Sequence, residues 1–456
     1  MTSKYCRIAL LLLPVSLSVA AQQMHSGQDA FTDYTREAPG VRRKLTTADL
    51  PRPYATPSVD VANAAVPRPS FAWPIVPAGF KVELYATDIP TPRLIRKAPN
   101  GDLFVAASNT NQILVFRGVT DKGKPKMMSV FTTEVTQPFG IAFYPRGPNP
   151  QWVYIGNTDS VVRFAYKNGD LKATRHAEKL ADIPGGGKLR GGGHWTRDIA
   201  FSNDGQKMFV SVGSHSNDDD ADTHPEEFHR ADVLEFKPDG TFVKVYASGI
   251  RNCVGEAVNP ITGELWCSTN ERDALGDNLV PDYVTHVQED GFYGWPWWYM
   301  GPNQDPRQAG KHPELRDKVI TPDVLLQPHD ASLEMMFYPG GTATMDTSHC
   351  APHNPPVKGC GVLTRNSNFP REYDGDAFAA EHGSWNKKIK TGYELIRIPM
   401  KNGHATGEYE DFMTGFVTPE GNVWGRPVGV TAGDDGSLFV TDDGSNSIWH
   451  ILYMGK

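Results

Sequence analysis

Three runs of this 456-residue chain place reactive residue types close together. Arg251-Asn252-Cys253-Val254-Gly255 supplies a cation and an amide. Asn270-Glu271-Arg272-Asp273-Ala274-Leu275-Gly276-Asp277 supplies a cluster of carboxylates with oxygen-donor chemistry. Gly291-Phe292-Tyr293-Gly294-Trp295-Pro296 supplies an aromatic and glycine shelf. Guanidinium forks pair with carboxylates, and hard cations such as calcium prefer oxygen ligands. Together with Gly192-Gly193-His194-Trp195 upstream, these runs describe a site for a flat, anionic group held by such a cation.

The elements that would position them are short strands. A turn of Asp/Asn-Gly type followed by an apolar strand recurs at Asn100-Gly101, Asp204-Gly205, Thr262-Gly263, Asp374-Gly375 and Asp435-Gly436. Gln151-Trp152-Val153-Tyr154-Ile155 makes a sixth recurrence. A second apolar run often follows, as in Gln112 to Phe116, Asp232 to Phe236 and Ser447 to Ile451. A strand–turn–strand unit repeating mostly every ~40 to 60 residues is the signature of propeller blades. The expectation is all-β: a six-bladed β-propeller, with Phe80 to Ala86 completing the last blade. A pair of β-sandwiches would not need the same unit six times.

Polar residues sit just ahead of these turns. Arg93 precedes Asn100-Gly101, His194 precedes Asp204-Gly205, Arg251 precedes Thr262-Gly263, and Arg426 precedes Asp435-Gly436. Equivalent positions in successive blades face one channel mouth. One imidazole and several guanidiniums therefore converge there, a set suited to an anionic ligand.

Bulk properties set limits. A net charge of -8 argues against a nucleic-acid binder, which needs a basic face, and suits neutral substrates such as sugars. Lys4 and Arg7, the apolar run Ile8 to Val19 and the small residues Val19-Ala20-Ala21 read as a secretory signal over residues 1–21. No other segment reads as a membrane span. A periplasmic or secreted protein is expected. Residues 22–75 are polar and Pro-rich and read as an extended arm. Residues 76–456 are the propeller, interrupted by an acidic loop at 213–230 and an insertion at 339–368.

Beyond the signal, Cys253, Cys267, Cys350 and Cys360 remain. An even count in an oxidising compartment suggests disulfides, and three connectivities are open. Cys253–Cys267, flanking the turn at Asn259 to Gly263, and Cys350–Cys360, closing a Pro-rich loop, are favoured. No Cys-x-x-Cys-His run binds a c-type haem.

In the order of its motifs the chain resembles the soluble glucose/sorbosone dehydrogenases, six-bladed propellers that depend on calcium and pyrroloquinoline quinone (PQQ). It looks closest to the sorbosone-dehydrogenase-like branch. The motifs run from Val76-Pro77-Ala78-Gly79-Phe80 through Arg93-Leu94-Ile95, Gly193-His194-Trp195 and Gly249-Ile250-Arg251-Asn252. They continue with Asn270-Glu271-Arg272-Asp273, Phe292-Tyr293-Gly294-Trp295-Pro296, His382-Gly383-Ser384-Trp385-Asn386 and Arg426-Pro427-Val428-Gly429. The resemblance covers the chain from Val76 onward.

The resemblance implies roles. His194 would be the general base on a sugar hydroxyl. Arg251 and Asn252 would flank the cofactor, Arg251 stabilising charge on the reduced quinone. Arg426 and Arg93 would bind its carboxylates, Lys387 or Lys388 would replace a family lysine, and Trp424 would stack. Gln137 and Trp195 would contact the sugar. Calcium would be held by the carbonyls of Arg272 and Asp273, where the best-known members carry Gly-Pro, with Asp273 or Asp277 compensating through a carboxylate. Asp218, Asp219, Asp220 and Asp222 lack the spacing of an EF-hand loop and read as a solvated run.

The function implied is oxidation of an aldose or sugar aldehyde by hydride transfer to calcium-bound PQQ. A separate electron acceptor, such as a soluble cytochrome or quinone, would take the electrons onward. Two other readings compete. A metal-dependent sugar lactonase would need side-chain carboxylate and Asn ligands around a central ion, and no Arg ring. A non-catalytic binding propeller would not need His194, Arg251 and Arg426 together.

Overall fold

The repeated turns set the rhythm of the chain. Gly101, Gly205, Gly263, Gly375 and Gly436 all have φ between 69° and 86°, where a Cβ is strained. Each reverses the chain between the first and second strand of a blade. The computed structural model describes residues 23–61, 64–185, 193–340, 343–346, 362–365 and 369–455. The expected signal segment and the Cys350–Cys360 pair lie outside the described residues.

Six four-stranded antiparallel blades form, as expected. Blade 1 is Pro92–Lys97, Leu103–Ala107, Gln112–Val119 and Pro125–Thr132. Blade 2 is Ile141–Tyr144, Trp152–Gly156, Ser160–Ala165 and Glu178–Asp182. Blade 3 is Ile199–Phe201, Met208–Val212, Asp232–Phe236 and Phe242–Ser248, with Gly291–Phe292 added in parallel at its outer edge. Blade 4 is Cys253–Val258, Leu265–Thr269, Pro281–His286 and Val324–Pro328. Blade 5 is Ser332–Phe337, Ala377–His382, Tyr393–Ile398 and Tyr409–Met413. Blade 6 is Pro427–Ala432, Leu438–Asp442 and Ser447–Tyr453, completed by Phe80–Ala86 from the other end of the chain. That closure removes the open edge a five-and-a-half-bladed ring would leave.

The first strand of each blade lies innermost and packs on its neighbours around the axis. The packing demands small residues. A Cβ on Gly255 of blade 4 would lie 2.5 Å from the Leu333 carbonyl oxygen of blade 5. Between blades the core is aromatic. Phe80 makes edge contacts with Phe369, Tyr373, Phe412 and Tyr453, joining blades 5 and 6. Burying one such ring is worth about 1.5–3 kcal/mol.

The N-terminal segment is extended but not a free linker. Arg42–Lys44 pairs with Tyr409–Met413 and widens blade 5, and Met24–Ser26 adds beside it. Arg43 is fully buried in an ion pair with Asp411, and Ala30 and Leu45 are buried with it. The docking uses single residues rather than a periodic apolar face, so composition alone did not reveal it. Cys253 and Cys267 are bonded across the first hairpin of blade 4, with Cα atoms 5.8 Å apart.

Candidate active site

A cavity of about 570 Å³ opens on the propeller axis. Arg93 and Leu333 reach it from the starts of inner strands, and Asn252 and Arg426 immediately precede two others. His194 and Trp195 line it from the segment leading into blade 3. Asn109, Asn270 and Asp443 come from just after the second strands of blades 1, 4 and 6, and His382 ends the second strand of blade 5. The convergence expected for Arg93, His194 and Arg426 is therefore present.

His194 is half-buried. Its Nδ1 lies 2.9 Å from the Ser214 carbonyl oxygen, which can only accept. Nδ1 thus carries the proton and Nε2 keeps its lone pair. Burial, then the nearby Arg251 guanidinium, lowers the imidazole pKa to about 3, so the ring is neutral at working pH. Gly213 makes this geometry possible, because a Cβ there would overlap both Asn252 Oδ1 and His194 Cβ.

A second imidazole faces the same cavity. His382 Nε2 lies 2.7 Å from Asp443 Oδ1, and Arg93 Nη1 donates to Asp443 Oδ2 at 2.6 Å. Burial and Arg426 lower His382 to about 4. Burial opposes ionisation of Asp443, but His382 and Arg93 hold its carboxyl well below the usual range. Arg93 also lies over the Trp195 ring at 5.4 Å, a cation–π contact. Its Nε is buried without a partner.

Arg426 is held by its Nε, which donates to the His382 carbonyl at 3.1 Å. Burial lowers its pKa, against the pull of Asp443. With Asp443 already paired to Arg93, the cavity wall carries an excess of positive charge at Arg426. A partly desolvated guanidinium on the same wall as Asn252, whose Nδ2 can donate, fits a planar, carboxylate-bearing ligand such as PQQ.

Other expectations are placed differently. Arg251 does not line the cavity. Its guanidinium is used behind His194, donating to the Glu271 carbonyl at 2.5 Å, to Asn217 Oδ1 at 2.9 Å and to Asp273 Oδ2 at 3.1 Å. Trp424 is fully buried, packs on Phe416 and Trp449, and donates to the Gly415 carbonyl. It is blade packing, not a stacking platform. Lys387 is buried toward Thr32 of the N-terminal segment. Gln137 is tied through its backbone N–H to Asn111 and does not reach the cavity.

The calcium ligands proposed from sequence do not line this cavity, and the Asp273 groups are already engaged. Arg272 is fully buried, bonded to Glu271, Asp305 and the carbonyls of Pro296 and Trp298. The Asp273 carbonyl accepts from Asn217 and Arg307, and its carboxylate from Arg251 and Asn386. Burial would raise that carboxyl, but Arg251 and His329 hold it at about 2. Asp277 bonds the Lys388 N–H in a separate loop. The acidic loop is used as ties: Asp218 to Arg307, Asp220 to Lys311 and Trp297, Asp222 to His312.

Sequence reasoning assigned no role to His382 and missed Asp443. The signal was available in the repeat: in blades 1, 4, 5 and 6 a residue at or just past the end of the second strand faces the same mouth as the residues at the start of the first.

A family model described as TrAA12-like matches residues 74–290 and 298–454. A Borreliella burgdorferi protein described as uncharacterized is 26% identical over 389 residues, covering 83% of this chain and 90% of its own. The holo form of the pyranose dehydrogenase PQQ domain from Coprinopsis cinerea superposes with a TM-score of 0.63 at 20% identity, covering 85% of this chain and 98% of that one. The calcium structure of the Trichoderma reesei Carbohydrate-Active Enzymes Family AA12 protein gives 0.65 at 17% identity, covering 87% and 98%. At these identities the likeness is one of fold.

Proposed function

The chain belongs to the TrAA12-like family, and on that premise we propose that it is a sugar oxidoreductase using PQQ, oxidising an aldose or sugar aldehyde. The observation that carries the reading is His194. It is a neutral imidazole with Nδ1 tied to a carbonyl, on the wall of a cavity that also presents Arg426.

His194 Nε2 takes the proton of the sugar hydroxyl as the C–H bond on the same carbon breaks. PQQ, when bound, supplies the two-electron acceptor for the hydride. Arg426 and Asn252 hold and orient the anionic group. Arg93, fixed by Asp443 and stacked on Trp195, shapes the wall beside them. An anion seated on Arg426 also offsets the field of Arg251 at His194 and raises the base toward the working range.

Calcium enters the proposal from the calcium structure of the Trichoderma reesei protein. Arg272, Asp273 and Asp277 build no cage for it at this cavity, and no step is assigned to it. An exported location and a separate electron acceptor belong to the same proposal. The leader-like N-terminus and the Cys253–Cys267 bond support export. Among the described residues, no helix is long and apolar enough to cross a membrane. A lactonase would need free carboxylates around a central ion, and among the described residues the one carboxylate that lines the cavity, Asp443, is already paired.

The test is turnover. Protein loaded with PQQ and calcium should reduce an artificial dye when given aldoses or a sugar aldehyde, and His194→Ala should not. The preferred substrate tells whether the sorbosone-like branch is the right one. Dye reduction equal in wild type and His194→Ala would refute the role of the imidazole.

A further inference from the structure

The N-terminal segment is seated on blade 5 over a group of buried acids. Glu37 and Arg43 come from the segment, Glu394 and Asp411 from strands of blade 5, and Asp330 stands just before its first strand. Arg43, Asp330, Glu394 and Asp411 are fully buried, and Glu37 is half-buried. Glu37 Oε1 accepts from the Gly392 N–H at 2.8 Å. A Cβ on Gly392 would lie 2.6 Å from Asp330 Oδ1, so the two acids meet at one glycine.

The charges in this seat do not balance. Arg43 is bonded to Asp411, whose Oδ2 also accepts from the Ala38 N–H at 3.0 Å. Lys387 Nζ donates to the Thr32 carbonyl at 3.4 Å. Among the described residues, no donor reaches either oxygen of Asp330 or of Glu394, or Glu381 Oε2. Glu394 lies against Asp411, so one of these two carboxyls must carry a proton to bond the other. The acids Glu37, Asp330, Glu381, Glu394 and Asp411 thus face only Arg43 and Lys387, with Asp282 beyond Asp330. The other titratable neighbours bring no charge at neutral pH. Burial and Arg43 lower His25, and burial raises Tyr393 and Tyr409. Burial holds Asp330, Glu381 and Glu394 well above the usual carboxylate range, and burial with Asp411 raises Glu37 to about 7.

We propose that residues 23–49 form a strap latched by protons held among these buried carboxyls, docked in acid and loosened as the pH rises through neutrality. In a released strap Glu37 titrates near its ordinary 4.5, against about 7 when docked. The docked form therefore binds the proton more tightly. Docking is strongest below pH 4.5 and weakens as pH rises through 7, by up to about tenfold per proton and per pH unit. Burial also lowers Lys387, which acts the other way, but Asp330 and Glu37 oppose that shift. The strap clamps the loop after the second strand of blade 5, where the Tyr34 N–H donates to the Lys390 carbonyl at 2.9 Å. Asn386 of that loop holds Asp273, the carboxylate paired with Arg251 behind His194. The latch does not depend on the proposed oxidoreductase activity.

Hydrogen exchange of the full chain, followed by mass spectrometry from pH 5 to 8 and corrected for the intrinsic rate at each pH, tests the proposal. The opening equilibrium of residues 23–49 should rise about tenfold or more over that range, while Leu438–Asp442 in blade 6 keeps its protection. Glu37→Gln and Glu394→Gln keep the side-chain shape and remove one acid each, and each should flatten the rise. Thermal melts across the same range establish that the variants fold; if one does not, the other decides. Opening that is indifferent to pH, opening that increases toward acid, an undiminished rise in a folded variant, or an equal rise in blade 6 would each overturn it.

Discussion

The bond from His382 Nε2 to Asp443 Oδ1, 2.7 Å long, joins blade 5 to blade 6 across the cavity wall. It fixes the imidazole's orientation, and Arg93 anchors the other carboxylate oxygen. Asp443→Asn removes the charge both partners use. Breaking such a buried pair costs about 3 kcal/mol of stability. Urea unfolding should show that loss, and His382 should titrate lower still by NMR, since Asp443 is the group that raises it.

His194 should separate chemistry from binding. His194→Ala should lower kcat about 10²- to 10⁴-fold with little change in PQQ affinity. Ser214→Ala should do far less, because the partner at 2.9 Å is the backbone carbonyl, which the substitution keeps. Steady-state assays of both variants test this. A Ser214→Ala defect as large as that of His194→Ala would place the orienting group on the hydroxyl instead.

The depressed imidazole has a pH consequence. The folded pKa of His194 is about 3 against an ordinary 6.5. Below pH 6.5 the unfolded chain takes up the proton and the folded chain does not. Stability from this group is therefore full above 6.5 and erodes as pH falls toward the folded value, at up to ~1.4 kcal/mol per pH unit. Buried acids such as Asp282, raised to about 7, act in the opposite direction. The measurable quantity is thus a difference: between pH 7 and 5, wild type should lose more stability than His194→Gln. Parallel losses would contradict the assignment.

The disulfide closes a short loop, its cysteines lying 14 positions apart in sequence. Replacing both cysteines by serine should cost about 3 kcal/mol. A reductant should lower the melting temperature of wild type more than that of the Cys253→Ser/Cys267→Ser variant.

Much of the fold was legible because its markers are local. Asp/Asn-Gly turns at Gly101, Gly205 and Gly436 need positive φ, and apolar runs follow them. Phe80 to Ala86 read as the closing strand because the last blade lacked one. In the site, Arg93, His194 and Arg426 were found by their place in the repeat. The rest depended on long-range partners. Arg251 carries the same sequence signal as Arg426, but Asp273 and the Glu271 carbonyl draw its guanidinium behind the wall. Trp424 looked like a platform two residues from Arg426, yet Trp449 and Phe416 enclose it. Arg43 docks the N-terminal segment through Asp411, 368 residues away, which no local pattern records.

The central claim is that Arg426 makes the axial cavity an anion site served by His194. Titration of wild type with PQQ, followed by absorbance, tests it most directly beside Arg426→Met and His194→Ala. The account predicts one PQQ per chain in wild type and in His194→Ala, with affinity at least about tenfold weaker in Arg426→Met, the loss of one charge-assisted contact. No uptake by wild type, or uptake indifferent to Arg426, would contradict it.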